Sequence, residues 1–212
     1  PFRRKPSFSG MDEIEAMMKR HPELRECAKD IQTACKTLLG CFQAGNKLLL
    51  CGNGGSAADC EHIAGELVKS FSRDRPLATD LAEKLGPELA DKLHGSLPAI
   101  PLPSFTSFHT AFANDDEPQY AFAQQVLGLG KPGDALLAIS TSGNSANVLH
   151  ATQTARATDL KVIGLTGETG GKLAPLCDVS IRVPAGDVAR IQELHLPVYH
   201  YLCQMVEEVM FG

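Results

Sequence analysis

No run of five basic residues occurs anywhere in this sequence, and the formal net charge is -5. Nothing in its charge pattern argues for a nucleic-acid partner. Its longest apolar runs fall far short of the roughly 20 residues a membrane span needs. The opening "PFRRKPSFSG" is basic but lacks the apolar stretch of a secretory signal. It is expected to be a flexible, trimmed or appended segment at 1–10, with Met11 as the native start. There is no CxxC pair. The seven cysteines, Cys27, Cys35, Cys41, Cys51, Cys60, Cys177 and Cys203, are odd in number and scattered. That pattern favours reduced thiols packed in a core over a disulfide framework, and so a cytoplasmic protein. Internal repeats and low-complexity segments are also missing.

What is present fits one α/β domain over 11–212. Apolar residues recur at three- and four-residue steps through 11–44, which predicts N-terminal helices, broken at His21-Pro22. Four short apolar runs, "KLLLCG", "ALLAISTSG", "KVIGLTG" and "DVSIRVP", end at turn residues and read as buried strands. Helical patterns lie between them, at 119–130, 145–158 and briefly near 171–176, and 188–210 reads as a long final helix. Strands of this kind alternating with helices predict a parallel sheet covered on both faces. The stretch 77–97 reads as an inserted helical excursion, and "SLPAIPLPSF" after it as room for one more strand between prolines.

Two glycine–serine loops stand out, "CGNGGS" at 51–56 and "STSGNS" at 140–145. Each follows a strand and opens a helix. At the carboxyl ends of a parallel sheet, such a helix start turns backbone N–H groups and a positive dipole toward the ligand crevice, which suits a phosphate. Serine and asparagine also favour caps and turns, so one loop alone would carry little. Two equivalent loops carry more. Neither is GxGxxG or a P-loop, and Asn147 stands where a triphosphate site would want a lysine. The hydroxyls of Ser140, Thr141, Ser142 and Ser145, with no cation among them, suit a monophosphate ester on a small, hydroxyl-rich molecule.

His62 and Glu66 lie one helical turn beyond the first loop, on one face and about 6 Å apart along the axis. Such a pair can chelate a metal, act as base and orienting partner, or be a solvated surface pair. In the last helix, Gln192 and His200 are eight residues apart, about 12 Å of axial rise. Bringing both to one ion would need a bend at Pro197 or a second copy of the chain. His195 is expected to be a packing residue.

These motifs, together with "VIGLTGETGGKLAPLCDVSIRVP" and "RIQELH" followed by His200, resemble the phosphoheptose isomerases of the sugar isomerase (SIS) domain family, over most of the chain from about residue 35. The resemblance implies a five-stranded parallel sheet flanked by helices, a Rossmann-like three-layer sandwich. It implies a homotetramer with active sites at subunit interfaces, acting on a sugar phosphate such as sedoheptulose 7-phosphate. It implies phosphate contacts from Ser56, Ser140, Thr141, Ser142 and Ser145, and substrate contacts from Asn53, Gly54, Gly55, Asn114, Asp115 and Gln192. It further implies zinc on His62, Glu66, Gln192 and His200, with Glu66 and His200 as acid and base. Three features depart from the family pattern: the insert at 77–97, Ala189 where aspartate is frequent, and Gly65 inside the His62–Glu66 turn. Two other readings stay open: a non-catalytic SIS-domain tetramer that binds the replication initiator DnaA, and an SIS enzyme for another sugar phosphate, such as a hexosamine or muramic acid phosphate.

Overall fold

The computed structural model describes residues 10–212. Apart from Gly10, the segment expected at 1–10 lies outside the described residues. Helix α1 (Gly10–Arg20) ends before His21-Pro22, a 3-10 turn spans Pro22–Cys27, and α2 (Ala28–Gln43) follows. Five parallel strands make one sheet in the order β2-β1-β3-β4-β5. They are β1 (Leu48–Cys51), β2 (Ala99–Pro101), β3 (Ala135–Ile139), β4 (Lys161–Thr166) and β5 (Val179–Arg182). β2 is short and ends in proline because it lies at an edge, where a missing N–H costs no ladder bond.

The sheet is buried on both faces, as its continuous apolar strands require. Leu48, Leu50, Leu137, Ile139, Ile163 and Leu165 pack with α1, α2 and the final helix α9 (Val188–Phe211). Leu49, Cys51, Leu136, Ala138 and Val162 face the other way, toward α7 (Ala121–Leu129) and α8 (Ala146–Ala157). Adjacent residues of one strand thus join opposite cores, the two-residue period of a pleated chain. The strand starts are tied together by Asp134, buried at 2% exposure, which accepts from the backbone of Lys47 and Lys131.

α9 remains one helix across Pro197. The insert folds as two short helices, α4 (Thr79–Leu85) and α5 (Pro87–Lys92), neither of which buries a residue. The sequence pattern missed α6 (Thr106–Asp115). None of its residues is fully buried, and its apolar residues at helical spacing are only Phe108, Ala111 and Phe112, too short a stripe to stand out.

The strand order changes direction between β1 and β3, the neighbours on which β2 and β4 lie to opposite sides. Ligands of doubly wound sheets bind at the carboxyl ends of such a switch point. Both glycine–serine loops leave the sheet there.

Candidate active site

The first loop joins β1 to α3 (Gly55–Val68). Gly54 holds φ 55° and ψ -121°, a conformation that a side chain at this position would strain. A Cβ on Gly55 would lie 2.5 Å from Nε2 of Gln192, so glycine lets α9 approach the loop closely. The second loop joins β3 to α8. Ser140 Oγ and Ser145 Oγ are 3.1 Å apart across it, and Ser140 is 4% exposed. Ser142 Oγ accepts from Asn144 N, which leaves its own proton for a ligand. Ser56 is buried in the first turn of α3.

The two loops are joined directly. Asn53 Nδ2 donates to Asn147 Oδ1 at 2.9 Å, and Asn147 Nδ2 donates back to Asn53 Oδ1 at 2.8 Å. Asn147 Oδ1 also accepts from the amide of Val148, which fixes the side chain at the start of α8. Asn147 thus serves as a strap between the two glycine–serine loops, a role the sequence pattern did not reveal because its partner is 94 residues away.

α3 and α9 run side by side in the same direction. Gln192 meets Gly55, His200 meets His62, and Glu207 meets Ser72. His62 Nε2 lies 3.3 Å from Glu66 Oε1 and 3.4 Å from His200 Nε2. One chain therefore assembles His62, Glu66 and His200 by itself. Gln192 stays at the glycine loop, about 12 Å along α9 from His200 at ~1.5 Å per residue. Asn114 and Asp115 sit at the exposed end of α6, where the Asn114 side chain donates to Asp115 at 2.8 Å. Burial, and then the neighbouring His62, lower the His200 pKa below its ordinary value, while Glu66 opposes them. A neutral imidazole is thereby favoured, one able to accept or relay a proton near neutral pH.

The SIS domain family matches residues 11–167. The phosphoheptose isomerase of Chromohalobacter salexigens is 43% identical over 185 residues, covering 86% of this chain and 84% of its own length. That of Rhodospirillum rubrum is 40% identical over 203 residues, covering 94% and 98%. The solved phosphoheptose isomerase of Neisseria gonorrhoeae superposes with a TM-score of 0.74 at 35% identity, covering 93% of this chain and 96% of that one. This chain belongs to the phosphoheptose isomerase family of SIS-domain proteins. The departures from the family pattern sit easily in the fold. Asp187, two residues before Ala189, caps α9 by accepting from Arg190 N at 2.9 Å. A Cβ on Gly65 would meet nothing within 4 Å, so that glycine is not required by packing. The insert leaves Leu81, Leu89 and Leu93 between 44% and 48% exposed.

His195 lies beside this site as a packing residue. It is fully buried, and neither ring nitrogen makes a well-formed hydrogen bond, though the Thr166 backbone lies near. Burial pushes its pKa down to about 4, with the Thr166 backbone opposing. The unfolded chain takes up that proton near the ordinary value of about 6.5. Between those two pH values the unfolded state binds more protons, so stability is present above about 6.5 and is lost as pH falls toward about 4. The loss amounts to about 3 kcal/mol at ~1.4 kcal/mol per unit. Urea unfolding should show this component in the wild type and lack it in His195→Leu. Equal pH slopes in the two proteins would mean that His195 does not titrate this way.

Proposed function

We propose that this chain interconverts D-sedoheptulose 7-phosphate and D-glycero-D-manno-heptose 7-phosphate, an aldose–ketose isomerisation that supplies heptose for lipopolysaccharide or another glycan. The observation that carries the reading is the meeting of His62, Glu66 and His200 along α3 and α9, beyond a pair of strapped hydroxyl loops. The first loop and His62 are six to seven residues apart on α3, roughly 10 Å at ~1.5 Å per residue. That separation suits a phosphate ester at one end of an open-chain sugar and the reacting carbons at the other.

The reaction moves a proton between C2 and C1 through an enediol. Ser56, Ser140, Thr141, Ser142 and Ser145 hold the phosphate, and Asn53, Gly54, Gly55 and Gln192 line the way from it. Glu66 abstracts the carbon-bound proton and returns it to the neighbouring carbon. His200 exchanges protons with the two oxygens as the carbonyl and hydroxyl swap places. His62 stands between them and holds their relative positions.

Zinc is the metal that this donor set fits. Two imidazole nitrogens and one carboxylate oxygen are typical zinc ligands. The three form a chain of contacts rather than a finished cage, and among the described residues no group of three or more His, Cys, Asp and Glu stands as a ready metal site. His62, Glu66 and His200 would hold the ion, with Gln192 as the fourth ligand once assembly brings it there. When bound, zinc would polarise the carbonyl and stabilise negative charge on its oxygen.

The same reading includes a homotetramer with active sites at subunit interfaces. α6 supports it: this helix buries no residue fully within one chain, follows the 42% exposed Phe105, and ends in the exposed Asn114 and Asp115. The seven cysteines are free thiols, six of them buried, which suits the cytoplasm. Among the described residues, no helix is long and apolar enough to cross a membrane.

The test is incubation in deuterated water with ketose and aldose phosphates of five to seven carbons, followed by NMR, and elemental analysis of protein purified without chelator. Heptose 7-phosphate product carrying deuterium at C2, and about one zinc per chain, are expected. Turnover of a hexosamine or muramic acid phosphate in preference to the heptose would overturn the substrate assignment. Full activity after exhaustive chelation would remove zinc and leave Glu66 and His200 as the acid–base pair.

A further inference from the structure

His62 has two ring nitrogens, and only one of them faces the site. Nε2 points at Glu66 and His200, while Nδ1 lies 3.1 Å from the hydroxyl of Tyr199. That hydroxyl in turn donates to Asp59 Oδ1 at 3.2 Å. We propose that Asp59 and Tyr199 form a positioning pair that fixes His62 in the tautomer with its proton on Nδ1, so that the Nε2 lone pair is presented to the reaction site. The proposal rests on the isomerase reading of His62, Glu66 and His200 given above.

The argument is a count of protons. A phenol has one proton to donate, and an ionised carboxylate can only accept. With the Tyr199 proton committed to Asp59, the phenol oxygen offers His62 a lone pair and nothing else. Nδ1 must then carry the proton that fills this contact. A neutral imidazole protonated at Nδ1 is bare at Nε2. The phenol side of the contact is closed to solvent, because Tyr199 is 2% exposed. Asp59 Oδ2 is buried with no partner, so the bond from Tyr199 is the one hydrogen bond its carboxylate receives among the described residues. The Tyr199 ring also meets both imidazoles edge-on, at 5.4 Å and 74° for His62 and at 5.1 Å and 86° for His200. One buried tyrosine therefore sets the orientation of both histidines and the proton position of one.

The site geometry agrees with this direction. A bare Nε2 at 3.3 Å from a carboxylate oxygen places two electron-rich atoms together, a spot that asks for a cation or a shared proton. The opposite tautomer would donate from Nε2 to Glu66 and would leave Nε2 closed to a metal. It would also require Tyr199 to donate to His62, and a protonated Asp59 to donate to Tyr199.

The experiment reads the tautomer itself. Metal-free protein labelled with ¹⁵N- and ¹³C-histidine is examined by magic-angle-spinning NMR, and the His62 signals are identified by their loss in His62→Gln. The wild type should show Nδ1–H. Tyr199→Phe, which removes one oxygen, should shift His62 to Nε2–H or to a mixture of the two forms. Asp59→Asn can offer an amide N–H to the phenol, which reverses the relay and should also favour Nε2–H. Zinc affinity by chelator competition should fall about 10- to 100-fold in Tyr199→Phe, while inorganic phosphate binds as in the wild type because the loops are untouched. A wild-type His62 with Nε2–H would overturn the proposal, and so would an unchanged tautomer in Tyr199→Phe. Weaker zinc binding with the tautomer unchanged would also overturn it, because packing would then be the cause. If the tautomer behaves as stated and no sugar phosphate is isomerised, the positioning pair stands and the isomerase reading falls.

Discussion

Replacing Glu66 by Gln should lower kcat about 10²- to 10⁴-fold, the usual contribution of a positioned acid–base group. The KM for the sugar phosphate should change by no more than a few-fold. The two constants separate because the structure separates the tasks. The proposed phosphate site lies at the loops after β1 and β3, whereas Glu66 lies two to three helical turns further along α3. Its side chain is 13% exposed, with Oε1 facing His62 and Oε2 3.3 Å from Lys69 Nζ. Gln keeps the shape but cannot take a proton from carbon. Exchange of the C2 hydrogen with deuterated solvent should therefore stop together with turnover. Retained exchange with lost turnover would move the base to another residue, and unchanged kcat would remove Glu66 from the chemistry. Zinc content measured on the same variant divides the loss between metal ligation and proton transfer.

Local features of this site could be read from the chain, and distant pairings could not. β1, β3 and the buried part of β4 are apolar runs because both faces of the sheet are covered there, so their signal is continuous and strong, whereas the edge strand β5 alternates, with Val179 and Ile181 facing the core. The loops, the His62–Glu66 turn and the long last helix are each encoded within a few residues. By contrast, Asn53 pairs with Asn147 across 94 residues, Tyr199 with Asp59 across 140, and Arg75 with Glu207 across 132. No spacing rule connects residues that far apart. Pro197 does not end α9, because a long helix packed along α2 and α3 tolerates one missing N–H. α6 escaped the sequence pattern for another reason. Its phenylalanines, Phe108 and Phe112, are only half-buried within a single chain, and the helix buries no residue fully.

Glu207→Ala should destabilise the fold by about 3–5 kcal/mol, the usual effect of removing one partner from a buried ion pair. Both side chains are fully buried. Glu207 accepts from the backbone of Phe71 and Ser72, from Ser72 Oγ, and from Arg75 Nε at 2.7 Å. Burial opposes its ionisation, but the hydrogen bonds from Ser72, Phe71 and Arg75 outweigh it and hold the carboxyl below its ordinary value. Arg75 then donates Nη1 to the Leu67 carbonyl and Nη2 to the Glu66 carbonyl. The pair therefore closes the C-terminal end of α3 and ties it to α9, the two helices that carry Glu66 and His200. Truncating Glu207 leaves a buried guanidinium without its counter-charge and frees the segment 71–75 from its acceptor. Chemical denaturation of Glu207→Ala should show the loss. The double variant Arg75→Met with Glu207→Leu should recover much of it, because an apolar pair replaces two buried charges. The double variant should nonetheless remain slower than the wild type, since nothing then caps the Glu66 carbonyl. A loss below 1 kcal/mol in Glu207→Ala would show that water or a rearranged loop satisfies Arg75 in its place. Wild-type kcat in the double variant would confine the pair to stability.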